Sequence, residues 1–298
     1  MSLTQDIRDA FSRRDNALNQ LIILNALVFV VLIVFKAVLF LAQSMPWYGL
    51  VTRQLELSSS LPTLLRHPWT LLSYAFVHEG FLHILFNMLN LYWFGQLIRE
   101  YLGDRRLVSL YILGALAGAA FFLLAYNLLP VLQPYVGQPV IGASAAVTAI
   151  IVAAATLLPD YTFMLILLGP VKIKWIALVV VLISIAGLNG GNPGGEVTHL
   201  GGALLGFIFI KQIKAGRDLG APVQAVGDWF GRLFSHQPAM KVTHRATVAA
   251  GRPSPAAKAS PADTHPDEVD SILDKISRSG YESLSKEEKQ KLFRASQQ

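Results

Sequence analysis

Residues 107–129 read LVSLYILGALAGAAFFLLAYNLL, an unbroken run without a charged side chain. An α-helix rises about 1.5 Å per residue, so about 20 apolar residues cross the roughly 30 Å hydrocarbon core of a bilayer. This run is long enough, and it is not alone. Comparable stretches lie at roughly 21–42, 81–98, 142–158, 173–188 and 198–213. Between 107 and 210 only Asp160, Lys172, Lys174 and Glu196 are charged. The chain as a whole is 53% hydrophobic and 15% charged, against about 25% charged in soluble domains. These observations predict an all-α, polytopic membrane protein with six spanning helices and lipid as the solvent of its outer surface.

The expected organisation is a polar N-terminal segment over 1–20, a six-helix membrane domain over 21–215, a flexible linker over 216–266 and a helical segment over 267–298. The first apolar run lacks a small-residue cleavage site and reads as a retained helix. Lys36 within it snorkels or faces protein. Residues 43–80 carry Trp47, Tyr48, Trp69 and Tyr74 and read as a loop with short helices at the membrane surface. Residues 159–172, with Pro159, Gly169 and Pro170, read as a turn and extended connector. From 237 to 266 Pro, Ala, Ser and Thr dominate, as in flexible linkers. Val269, Ile272, Leu273 and Ile276 then follow helical spacing, Gly280 stops that helix, and Ser285 with Glu288 forms a capping box for another. This tail is a candidate for binding a cytoplasmic partner.

The basic residues flank the apolar runs: Arg8, Arg13 and Arg14 before the first, Arg99, Arg105 and Arg106 after the second, Lys172 and Lys174 before the fifth, Lys211, Lys214 and Arg217 after the last. By the positive-inside rule both termini are cytoplasmic, and the expected location is the cell (inner) membrane. This pattern accounts for the net charge of +6 without a nucleic-acid partner. The chain has no cysteine, which excludes disulfides, thiolate nucleophiles and cysteine-bound metals.

Polar residues inside apolar segments are costly unless partnered, and so are functional candidates. His83, Asn87 and Asn90 share one helix face, with His78 in the preceding turn. His78 and His83 are five apart, whereas a His-Glu-x-x-His zinc site needs four, so neither a metal nor a cofactor is expected. Ser144, in Gly142-Ala143-Ser144-Ala145-Ala146, falls in the first turn of its helix, where free backbone N–H groups stabilise an anion. His199, Gly202 and Gly206 form a stripe on the last segment, and glycines there permit close approach of the fourth. Close packing would carry His199 to Ser144. Glu196 is near in sequence but reads as part of a glycine-rich loop, so a dyad is expected rather than a triad.

Taken in order, His78…His83…Asn87, Gly142-x-Ser144 and His199-x-x-Gly202-x-x-x-Gly206 resemble the motifs of the rhomboid family of intramembrane serine proteases. The resemblance covers roughly 20–215. It implies Ser144 as nucleophile, His199 as general base and then acid, and an oxyanion hole from Asn87, His83 and the Ser144 N–H. It also implies transmembrane proteins as substrates, with 189–197 as a mobile loop capping the site. Three positions depart from the family pattern. Ala145 replaces a glycine and narrows the backbone beside the serine. Thr70 follows Trp69 where an arginine is usual, which leaves the anchoring of the first loop open. Thr148 stands where some members stack an aromatic under the histidine. Two other readings are a catalytically silent rhomboid-like protein that binds transmembrane helices, and a transporter or channel. The second normally needs charges at mid-depth, and Lys36 is the sole candidate.

Overall fold

The computed structural model describes residues 16–165, 169–234 and 266–295. The apolar runs are all helical. They form α1 (Ala17–Leu41), α5 (Phe81–Leu102), α6 (Asp104–Leu128), α7 (Ser144–Leu157), α8 (Ile173–Gly187) and α9 (Pro193–Lys214). Of these, α1, α5 and α6 are each long and apolar enough to cross a membrane, whereas α7 and α8 are apolar but shorter. With large apolar side chains such as Val34, Phe40, Phe86 and Ile183 left exposed, the chain is a helical membrane protein.

The loop after α1 carries α2 (Met45–Thr52), the two-residue strand β1 (Leu57–Ser58), α3 (Leu61–Arg66), α4 (Thr70–Ser73) and a 3-10 turn over Tyr74–Phe76. β1 pairs antiparallel with β2 (Pro139–Val140), Leu57 opposite Val140. The connector after α7 is a hairpin of β3 (Thr162–Leu165) and β4 (Gly169–Lys172). Both strand pairs amend the all-α expectation. The loop is anchored without an arginine at position 70: Trp69 Nε1 donates to the Gln54 carbonyl (2.7 Å) and Ser73 Oγ to that of Leu55 (2.8 Å). Lys36 reaches the ring of Tyr48 on α2, 5.3 Å from its centroid.

α7 is enclosed by helices that present glycine to it. A Cβ on Gly202 of α9 would lie 2.1 Å from the Ala145 carbonyl oxygen, and one on Gly206 would lie 2.2 Å from that of Ala149. Both contacts advance together along the two chains, so α7 and α9 run parallel and begin at the same end. On α6, Gly118 meets Ala145 and Gly114 meets Ala149, so α6 runs the other way. Without lipid-independent hydrophobic drive between helices, such close backbone approach supplies the packing energy. A buried polar relay adds direction. Asn25 of α1 donates to the Tyr111 hydroxyl (3.1 Å), Tyr111 to the Ala75 carbonyl (2.8 Å), and Tyr74 to the Ala115 carbonyl (2.7 Å).

Past α9 the chain does not pass directly into a linker. Residues 221–234, expected to be flexible, form helix α10 (Ala221–Phe234). The Pro/Ala/Ser-rich stretch beyond it, and Arg8, Arg13 and Arg14, lie outside the described residues. A separate unit contains α11 (Pro266–Ser279) and α12 (Lys286–Ala295). Within it Gly280 adopts a φ of +77° after α11. The Ser285 N–H donates to Glu288 (2.7 Å) and the Glu288 N–H to Ser285 Oγ (3.2 Å), which is the reciprocal cap the sequence predicts. Ile272 and Leu284 are buried there, and Lys275 pairs with Glu288 at 2.9 Å.

Candidate active site

The chain enters α7 through β2 and Gly142, whose φ is +120°. Glycine is required there for a second reason: a Cβ would lie 2.8 Å from His83 Nε2. The Gly142 N–H donates to the Tyr74 carbonyl (2.9 Å), and the Ala143 N–H donates to His78 Nε2 (3.3 Å). An accepting Nε2 puts the His78 proton on Nδ1. His78 is buried with its ring edge-on to His83, 5.0 Å between centroids. It clamps the backbone ahead of Ser144. Through Tyr74 and Tyr111 the same segment is tied to α6, so the position of Ser144 is fixed from three sides.

Ser144, His199, His83 and Asn87 line one cavity of about 410 Å³. Asn90 and Thr148 complete its wall, with Ser184 and Glu196 beside His199. α5 supplies His83 and Asn87, one turn apart, and the Asn87 Nδ2 donates to the His83 carbonyl (2.9 Å), leaving its second N–H for another acceptor. α5 and α8 face each other across the cavity, with Leu82, Phe86 and Ile183 at its exposed margin. Among the described residues no hydrogen bond joins Ser144 Oγ to His199.

His199 does not stand without a carboxylate. Its Nδ1 is 3.1 Å from Glu196 Oε2 and 3.1 Å from Ser184 Oγ on α8. A carboxylate only accepts, so the Nδ1 proton points to Glu196 and Nε2 keeps its lone pair. This corrects the expectation of Glu196 in a glycine-rich loop. The cause is the start of α9. Asn192 caps it, its Oδ1 accepting from the Gly195 N–H (3.0 Å), and Pro193 occupies the first turn. Helix therefore includes Gly194, Gly195 and Glu196, and places Glu196 one turn ahead of His199. The expected cap over 189–197 shrinks accordingly, since 193–197 are helical. Gly187 makes room: a Cβ there would sit 2.8 Å from the Glu196 carboxyl carbon. Ser184 was not singled out from the sequence, and Glu196 was set aside there as a loop residue. Ser184 could have been found as a hydroxyl within an apolar run, and Glu196 by reading Asn192-Pro193 as a helix start.

Residues 65–213 match the family model described as the Rhomboid domain. The chain belongs to the rhomboid family. RHOMBOID-like protein 12, mitochondrial, of Arabidopsis thaliana is 33% identical over 159 residues, covering 50% of this chain and 47% of that protein. Rhomboid-like protein 16, chloroplastic, of the same organism is 32% identical over 160 residues, half of each chain. Rhomboid protein 1, mitochondrial, of Saccharomyces cerevisiae is 31% identical over 163 residues, 52% of this chain and 45% of the relative. The rhomboid chain thus spans about half the length of the curated relatives it matches. Residues 263–298 match a second model, a family of unknown function (DUF6576). Two of this rhomboid's departures have structural answers. The Ala145 methyl faces Gly118 of α6 rather than the cavity, so it does not narrow the site. Where Thr148 offers no ring to His199, Ser184 and Glu196 hold the imidazole at Nδ1.

Proposed function

We propose that this chain is an intramembrane serine endopeptidase that cleaves transmembrane proteins. The reading rests on one observation above all: Ser144, at the first turn of α7, and His199, with a carboxylate on its Nδ1, line the same cavity as Asn87 and His83. Ser144 Oγ attacks the scissile carbonyl carbon and passes its proton to His199 Nε2. The new oxyanion accepts from the Ser144 N–H, the Asn87 amide and His83. Collapse breaks the C–N bond, and the amine leaves with the proton from His199. Water, deprotonated by the same imidazole, then hydrolyses the acyl-serine. Glu196 acts by holding the imidazole tautomer and stabilising its charged form.

In this reading α1 and α5–α9 are the six crossings. α7 has 14 residues, about 21 Å at 1.5 Å each, against a core of roughly 30 Å. A helix that short does not span the core by itself, and in this reading its first turn is the recessed end, with Ser144 inside the bilayer in a wet cavity. Arg99, Arg105, Arg106, Lys172, Lys174, Lys211 and Lys214 gather at the opposite ends of the helices, which makes that side cytoplasmic. Both termini then lie in the cytoplasm of a cell (inner) membrane, and cleavage occurs toward the other face. Substrate helices reach Ser144 between α5 and α8.

The test uses the full chain in proteoliposomes with a panel of single-span substrates bearing a fluorescent ectodomain. Cleavage should occur and should be lost in both Ser144→Ala and His199→Ala, and a fluorophosphonate should label Ser144. Cleavage that survives either substitution removes the mechanism. Binding of the same substrates without cleavage or labelling would support instead a silent rhomboid-like protein.

A further inference from the structure

We propose that α10 is an interfacial helix that lies in the headgroup layer of an anionic leaflet, with its polar face fastened to the membrane domain. At about 100° per residue, Val223, Val226, Trp229, Phe230 and Leu233 fall on one contiguous arc of the helix. Gln224, Asp228 and Arg232 follow one another at four-residue intervals on the opposite arc. The two arcs have different neighbours. Asp228 pairs with Arg105 in the first turn of α6. The segment that leads into α10 is held at the same place: Arg106 pairs with Asp218 at 2.9 Å, and Ser109 Oγ donates to the Gly220 carbonyl (3.3 Å). Gly220 packs so closely on Ser109 that a Cβ would be 2.7 Å from its Cβ. The apolar arc, by contrast, is left uncovered: Val226, Trp229, Phe230 and Leu233 are 51–57% exposed.

The location identifies what covers it. α10 is fixed to the first turn of α6 and follows within seven residues of the last residue of α9. The ends of two membrane helices mark the boundary of the apolar core, and α10 sits at that level. A helix there with one apolar face carrying Trp and Phe, and one polar face, fits the headgroup–acyl boundary. Its surroundings are basic. Lys211, Lys214, Arg217 and Arg232 form no ion pair with a carboxylate among the described residues. Cations at this level attract acidic lipid headgroups. Water on the apolar arc would instead leave two aromatic and two aliphatic side chains solvated while their polar opposites are tethered. The inference is independent of the proposed proteolysis, since none of these residues lines the candidate site.

The sequence contains no cysteine, so single-cysteine variants report without background. Val226→Cys and Phe230→Cys probe the apolar arc, and Gly231→Cys and Arg232→Cys, at two exposed positions, the other side. Each protein is placed in nanodiscs, which leave both bilayer faces accessible, and reacted with a water-soluble, membrane-impermeant maleimide. In nanodiscs rich in phosphatidylglycerol, labelling at 226 and 230 should be about tenfold slower than at 231 and 232, as expected for side chains sunk into the acyl boundary. Replacing phosphatidylglycerol with phosphatidylcholine should narrow that ratio. Equal rates at all four positions would overturn the proposal. So would protection seen only in discs holding two copies, which would assign the face to self-association, and so would a ratio indifferent to lipid charge.

Discussion

Replacing Glu196 with glutamine keeps its volume and removes its charge, and so isolates the contribution of the carboxylate that the structure puts on His199. The charge sits 3.1 Å from Nδ1. With an effective dielectric constant of about 20, a unit charge at that distance stabilises an imidazolium by ~5 kcal/mol. The two side chains are 24% and 22% exposed, and solvent screening together with the retained Ser184 contact reduces this to about half. A loss of ~2–3 kcal/mol from the transition state corresponds to a roughly 30- to 150-fold fall in kcat. Substrate binding does not involve the imidazolium, so KM should change little. Initial rates over a range of substrate densities in proteoliposomes separate the two parameters, and a thermal melt checks that the fold is intact. Glu196→Asp keeps the charge on a shorter arm and should lose less. Ser184→Ala, which removes only a neutral partner, should lose less again. Wild-type kcat in Glu196→Gln would refute the reasoning, as would a loss confined to KM.

Asn87→Ala should reduce kcat by about 10²–10³-fold, the usual effect of deleting one oxyanion donor, with KM within a few-fold; equal losses in kcat and KM would assign Asn87 to structure, and steady-state kinetics distinguishes them. Gly202→Ala puts a methyl 2.1 Å from the Ala145 carbonyl oxygen, so α7 and α9 must separate, at a cost of about 1–3 kcal/mol of overpacking, with a lower melting temperature and weaker fluorophosphonate labelling. Asp160 accepts from Lys174 and Lys172, each at 2.9 Å, and these two ammonium groups hold its pKa down at about 2. Because the folded value lies below the unfolded one of about 3.9, its small contribution is fully present above that value and is lost as pH falls through about 2. Asp160→Asn should therefore leave stability unchanged at pH 2 and lower it only slightly at pH 7, as followed by thermal melts.

Much of the architecture is legible in the sequence because lipid imposes a simple rule: long apolar runs become helices. Their limits agree within a few residues for α5–α8. The start of α9 does not, because Gly194 and Gly195 read as loop-forming while the local signals Asn192 and Pro193 favour helix. That difference of one turn concealed Glu196 as a partner for His199. α10 was hidden for another reason. Its polar residues and the glycines at 216, 220, 227 and 231 suggest a linker until the period of Val226, Trp229, Phe230 and Leu233 is counted. The hairpin of β3 and β4 depends on cross-strand pairing, such as Phe163 with Val171, that no single segment encodes. The close approach of α7 and α9 was readable from Gly202 and Gly206, since only glycine leaves space for another backbone.

Ala145 and Gly118 occupy one small gap between α6 and α7, and a single methyl fills it. That methyl is attached to the helix bearing the serine here, but the gap does not dictate which wall provides it. A Cβ on Gly118 would lie 2.5 Å from that of Ala145, and 3.1 Å from both the Thr198 carbonyl and the Tyr74 hydroxyl. Ala145→Gly combined with Gly118→Ala would move the group across the gap at the expense of modest crowding. The residue after the serine and the one facing it across the gap therefore form a single volume constraint, in which a methyl gained on one wall is balanced by its loss from the other.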